Sequence, residues 1–222
     1  MFYSLVLNRL KAMLRFHTKT GINIELRDEG KSALRIRSFS NAIAFSNRPL
    51  GKDETFLFEI EDHEPGWAGH VRCGVTLHNP KLIDLPQYLL PDLMQLGKSW
   101  VFAIKPSIES PFGDQHVNSN IPIVKCQSVS ASNIHPDLLV NTQFEGCSPT
   151  GKGSRIGLHV TKGGSLYFII NGVQYGPCVT DIPGNVNNLY AVMDLYGMTK
   201  KLRIIHGTGK YLQVIALFLF VL

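Results

Sequence analysis

A chain of 222 residues, 44% hydrophobic and 18% charged, has room for one large β domain or two small ones and is neither disordered nor fibrous in composition. Its net charge of +5 is spread over 22 scattered basic residues, and pairs such as Lys200-Lys201 are too short for a nucleic-acid patch, so no nucleic-acid partner is expected. The four cysteines, Cys73, Cys126, Cys147 and Cys178, form no CxxC pair, which leaves a zinc ribbon or a RING without ligands. Four widely separated thiols point to a reducing compartment, the cytoplasm, with Cys73, Cys126 and Cys178 serving as small buried hydrophobes.

In chain order, "MFYSLVLNRLKAMLRF" carries Arg9, Lys11 and Arg15 and no acid. An amphipathic targeting helix would fit that pattern. A signal peptide fits poorly, since the apolar run is short and no small-residue cleavage site follows. Residues 1–14 therefore read as a leader. From Gly21 onward the apolar period is two. Ile22, Ile24 and Leu26 alternate with polar neighbours, and Leu34 and Ile36 alternate with Arg35 and Arg37. Phe56, Phe58 and Ile60 follow, then Val71, Cys73, Val75 and Leu77. The segment "QYLLPDLMQLG" is the best helical candidate, and Pro91 limits it to a turn or two.

"WVFAI", "IVKC", "RIGLHV" and "LYAVMDL" add short strands, and residues 107–120 read as a long surface loop. In "SLYFIINGVQYG" the pair Asn171-Gly172 supplies the positive φ angles of a type I′ hairpin. Many short strands separated by Gly, Pro, Asn and Asp predict an all-β antiparallel sandwich. Residues 207–222 end in "YLQVIALFLFVL", which as a helix reaches about half the hydrocarbon thickness, so no membrane span is expected.

No cofactor or metal is expected, and no catalytic residue. "GCSPTGKG" nearly spells a phosphate-binding loop, but Gly153 replaces its hydroxyl residue and the strand-like "RIGLHV" replaces its helix. There is no GxSxG and no HExxH, and His63, His70, His78 and His159 have no metal-ligand spacing. Glu59 and Glu61 share one face of a strand, the solvent face by alternation. A sandwich hydrolase or carbohydrate-active protein would need carboxylates converging in a concave face, which spacing alone does not supply.

The stretch from Phe16-His17 through Gly21-Ile22-Asn23-Ile24, Ser38-Phe39, Ala42-Ile43, Phe45-Ser46, Arg48-Pro49-Leu50 and Glu59-Ile60 resembles the first half of a neuralized homology repeat. The run Gly66-Trp67-x-Gly69-His70-x-Arg72-x-Gly74-x-Thr76 is similar to it as well, and "LYFIINGVQYGP" and "LYAVMDLYGMTKKLRII" supply its second half. The resemblance covers residues 15–206 and implies a SPRY-like β-sandwich. It also implies a non-catalytic adaptor that recruits protein substrates to a cullin-type ubiquitin ligase. Single-repeat members couple through a C-terminal SOCS box that docks elongin and cullin, and other members carry a RING. Residues 207–222 lack the Leu-Cys-Arg core of that box, so coupling is expected only in a longer form. The alternative is a bare interaction domain that binds the same partners without recruiting a ligase.

Within that frame Gly66 permits a turn, Trp67 is expected in the core, and Gly69 lets the backbone bend into the next strand. His70 is expected to be a hydrogen-bonded strand-end residue, and Asn171-Gly172 is framework. Partner contacts are expected in the loops, at His63, Glu64, Pro65, Ser110, Phe112, Gln174 and Tyr175.

Overall fold

The computed structural model describes residues 13–106, 148–183 and 188–205, together with the backbone of 128–129. Among the described residues, strands form two antiparallel sheets. In chain order they are β1 (Ile24–Arg27), β2 (Ser32–Arg35), β3 (Ile43–Phe45), β4 (Thr55–His63), β5 (Arg72–Thr76) and β6 (Ser99–Ala103). There follow β7 (Ser128–Val129), β8 (Arg155–Val160), β9 (Leu166–Ile170), β10 (Val173–Val179), β11 (Tyr190–Asp194) and β12 (Thr199–Ile204). The larger sheet has the order β1-β2-β12-β4-β8-β9-β10-β7, and the smaller has β3-β11-β5-β6.

The main core lies between the sheets. Phe56, Phe58 and Ile60 of β4 meet Cys73 and Val75 of β5 and Met193 of β11, and Phe102 packs edge-on against Phe168. A second core lies on the other face of the smaller sheet. There Ile43, Phe45, Val101 and Val192 are covered by residues 83–93, whose Leu89 and Leu93 are fully buried. Both faces of that sheet are therefore apolar, as β11 shows by burying every residue from Tyr190 to Asp194.

Several sequence expectations hold. Asn171 and Gly172 adopt φ of 50° and 84° between β9 and β10, as a type I′ turn requires. The segment around Pro91 makes one turn, Leu89–Leu93, before the chain reaches β6. Glu59 and Glu61 do share a face, where they pair with Arg155 and with Lys201 and Arg203.

Two alternation readings are overturned. Ile22 does not share the core face of Ile24; it is 83% exposed, because Gly21 closes a turn onto Ile24 N–H and β1 begins only there. On β2 the inward face is inverted: Arg35 is fully buried and Ile36 is 43% exposed. The guanidinium occupies the interior because three backbone carbonyls and a carboxylate receive it. A third correction concerns the thiols. Cys73 is free and buried as expected, but Cys178 is disulfide-bonded.

Candidate functional site

Arg35 organises one end of the sandwich. Its Nε donates to Thr199 O (3.1 Å), Nη2 to Gly197 O (2.7 Å) and Nη1 to Arg37 O (3.0 Å). Nη1 also lies 3.1 Å from the Glu64 carboxylate, which Lys200 Nζ approaches at 3.0 Å. One buried cation thus ties the β2–β3, β4–β5 and β11–β12 connections together. The last two interlock through their backbones: Glu64 N–H donates to Met198 O (2.8 Å), and Met198 N–H to Gly69 O (2.9 Å).

Glycine is required at this junction. Gly197 has φ of 57°, and a Cβ there would collide with the carbonyls of Ala68 and Gly69. A Cβ at Gly69 would come within 2.7 Å of the Tyr196 ring. Gly66, with φ of 92° and open space around it, serves the turn alone.

These loops present an aromatic platform. Phe39 is its hub, with ring centroids 5.0 Å from Trp67 and 4.7 Å from Tyr196, both edge-to-face, and 6.4 Å from Tyr88. Tyr88 and Tyr196 are 6.0 Å apart, completing the cluster. The Arg72 guanidinium stacks 3.4 Å from the Tyr196 ring centroid and donates from Nη1 to Leu90 O (2.8 Å). Its strand neighbour Asp194 accepts the Leu89 N–H at 3.1 Å. Arg72 and Asp194 thereby hold residues 88–90 against the smaller sheet, which places Tyr88 at the rim.

Burial pushes the Asp194 carboxyl up to about 7, against the opposing pull of Leu89 N–H, Arg72 and Arg35. Its Oδ1 has no hydrogen-bond partner among the described residues. Burial also depresses His70, with the neighbouring His63 adding to the effect.

Trp67 corrects the sequence reading. It is 40% exposed and packs edge-on against Phe39 rather than entering the core. The positive-φ glycines on either side carry the loop outward past the end of β4, beyond the reach of the inter-sheet core. His70 stands near the start of β5, and its Nδ1 is buried without a hydrogen bond among the described residues, so the expected bonded strand end is not seen at that atom.

The expected contact residues separate. His63, Glu64 and Pro65 do lie at the platform's loop, with Pro65 exposed and Glu64 held by Arg35 and Lys200. Gln174 and Tyr175 belong to β10, not to a loop. Tyr175 is buried in the main core opposite Phe168, so it is no surface contact. Ser110 and Phe112 lie outside the described residues. Phe39, Tyr88 and Tyr196 were not among the expected contacts, because each sits alone in its segment and only folding brings them together.

Other candidate chemistry is weaker. Among the described residues no group of three or more His, Cys, Asp or Glu is placed to hold a metal. Lys152, in the loop resembling a phosphate cradle, is exposed and lies 3.5 Å from Asp62. At the other end of β4 a cleft of about 320 Å³ is lined by Arg48, Glu54 and Lys162, but Arg48 and Glu54 satisfy each other at 2.7 Å through two parallel bonds.

Comparison with known proteins gives a consistent picture. The family description Neuralized matches residues 16–206. Neuralized-like protein 2 of Mus musculus is 33% identical over 219 residues, covering 86% of this chain and 76% of that protein. E3 ubiquitin-protein ligase NEURL1B of Mus musculus is 30% identical over 126 residues, 50% of this chain and 23% of that protein. In fold, the crystal structure of the Drosophila melanogaster Neuralized NHR1 domain matches with a TM-score of 0.63 at 24% identity, over 87% of this chain and 98% of that one.

Proposed function

This chain belongs to the Neuralized family, and from that premise we propose that it is a substrate-recognition adaptor that binds a protein and presents it to a cullin-type ubiquitin ligase. Relatives named as E3 ubiquitin-protein ligases support a role in ubiquitin conjugation. The observation that carries the binding half is Trp67, a large ring left 40% exposed on a platform whose loops are locked from beneath by Arg35. Aromatic side chains in such positions supply contact area at small entropic cost. The chain itself takes no part in bond-making; the transfer chemistry belongs to the ligase. The cytoplasmic location belongs to this proposal through the ubiquitin role and not through the thiols, one of which, Cys178, is disulfide-bonded; elongin and cullin enter the proposal through a SOCS box in a longer form.

Trp67→Ala should abolish capture of the protein partner while costing about 1–2 kcal/mol of stability, the loss of one edge-to-face contact and partial burial. A variant that melts many degrees lower would make Trp67 a core residue after all. Co-precipitation of elongins B and C with this chain, and with one extended by downstream sequence, separates the adaptor from the bare interaction domain. Recovery only with the extended chain supports the adaptor in its longer form, and recovery with neither supports the bare domain.

A further inference from the structure

We infer that the platform takes a short linear segment of a protein in which a bulky apolar residue is flanked by an acidic one; this rests on the protein-binding reading above and names the class of segment bound. The rings provide the apolar contact, and the sign of the flanking charge follows from which charges around them are already neutralised. Four segments carry the platform: residues 36–41, 64–70, 86–88 and 195–198. They contain a single carboxylate, Glu64, and both Arg35 and Lys200 engage its Oε2 at 3.1 and 3.0 Å. Among the adjoining carboxylates, Asp194 is fully buried against Leu89 N–H, Asp92 accepts Tyr88 N–H at 3.1 Å and Asp62 lies 3.5 Å from Lys152, while Asp84, four residues before Tyr88, is exposed.

Arg37 is different. It is exposed two residues from the hub Phe39, and no ion pair engages its side chain among the described residues. Its backbone carbonyl, by contrast, is fixed by Arg35 at 3.0 Å, so the cation stands on an anchored base. Arg72, stacked on Tyr196, adds positive potential beneath the rings. His70 adds little charge at neutral pH, since burial holds it in its neutral form. Around the hub Phe39, where the free charge among the described residues is the Arg37 guanidinium, the ring surface is complementary to an acidic flank and repels a basic one.

The test is panning of a random twelve-residue peptide library against the full chain and against Arg37→Glu, followed by titration of the selected synthetic peptides. Arg37→Gln is carried alongside, and thermal melts establish that each variant is folded. The expected result is enrichment of Asp or Glu beside an aromatic or aliphatic residue for the wild type. Lys or Arg should replace the acid for Arg37→Glu, whose affinity for the wild-type peptides should fall about tenfold or more, less steeply at high salt. Selected peptides that require Trp67 but ignore the charge at position 37 would overturn the acidic flank and leave the platform as the binding surface. An absence of Trp67-dependent peptides would overturn both. Self-association in sedimentation, lost in Trp67→Ala, would assign the platform to a second copy and refute the proposal.

Discussion

Replacing Arg35 with alanine removes the group on which the binding end depends. The wild-type side chain is fully buried and donates to three backbone carbonyls at 2.7 to 3.1 Å, with the Glu64 carboxylate at 3.1 Å. A hydrogen bond to a charged group contributes about 1.5–3 kcal/mol, and such contributions do not sum. Removing one member of a buried ion pair costs about 3–5 kcal/mol, because the partner left behind keeps its desolvation penalty. Lys200 still neutralises Glu64, so the estimate is near the middle of that range, about 4 kcal/mol. For a domain of this size, 1 kcal/mol moves the melting temperature by about 2–4 °C, which gives a fall of about 8–16 °C. Arg35→Lys keeps the charge but cannot reproduce the planar fork, and should melt between the two. Circular dichroism melts at several scan rates, with tryptophan fluorescence reporting on Trp67, provide the assay. A melting temperature for Arg35→Ala within about 3 °C of wild type, roughly 1 kcal/mol, would show that the buried guanidinium does not hold the loops.

Gly197→Ala should cost about 2–4 kcal/mol by chemical denaturation, since the new Cβ meets two carbonyls at a positive φ; a change below about 0.5 kcal/mol would mean that the two loops can separate freely. The pH response has two opposing parts. Asp194, raised from 3.8 to about 7, contributes stability that is present at low pH and lost as pH rises through its folded value. His70 and His159, lowered from 6.5, contribute stability that is present above 6.5 and lost as pH falls below it. Asp194→Asn should therefore lose more stability than wild type between pH 7 and pH 5, and parallel pH profiles would refute the carboxyl's raised value. Lys152→Ala, at an exposed position with one long surface pair, should shift stability by less than about 0.5 kcal/mol, and calorimetry should detect no ATP binding in either protein.

The period-two pattern determined that this chain is a sandwich of short strands. Local chemistry determined the Asn171-Gly172 hairpin and the single turn at Pro91, because those signals lie within a few residues and depend on backbone preference alone. Alternation also tells which residues share a face, as Glu59 and Glu61 do, but not which face is inside. On β2 that was decided by Arg35, whose partners at Gly197 and Thr199 lie more than 160 positions away and reach it only after β12 pairs with β2. The same limit applies to Trp67. A ring between two glycines reads as core or surface with equal ease, and its outward position follows from the lock between the β4–β5 and β11–β12 connections. Phe39, Tyr88 and Tyr196 each stand alone in the sequence, and the platform exists only because three connections end on the same side of the two sheets and the β5–β6 connection, which starts at the opposite end, folds back to bring Tyr88 to them.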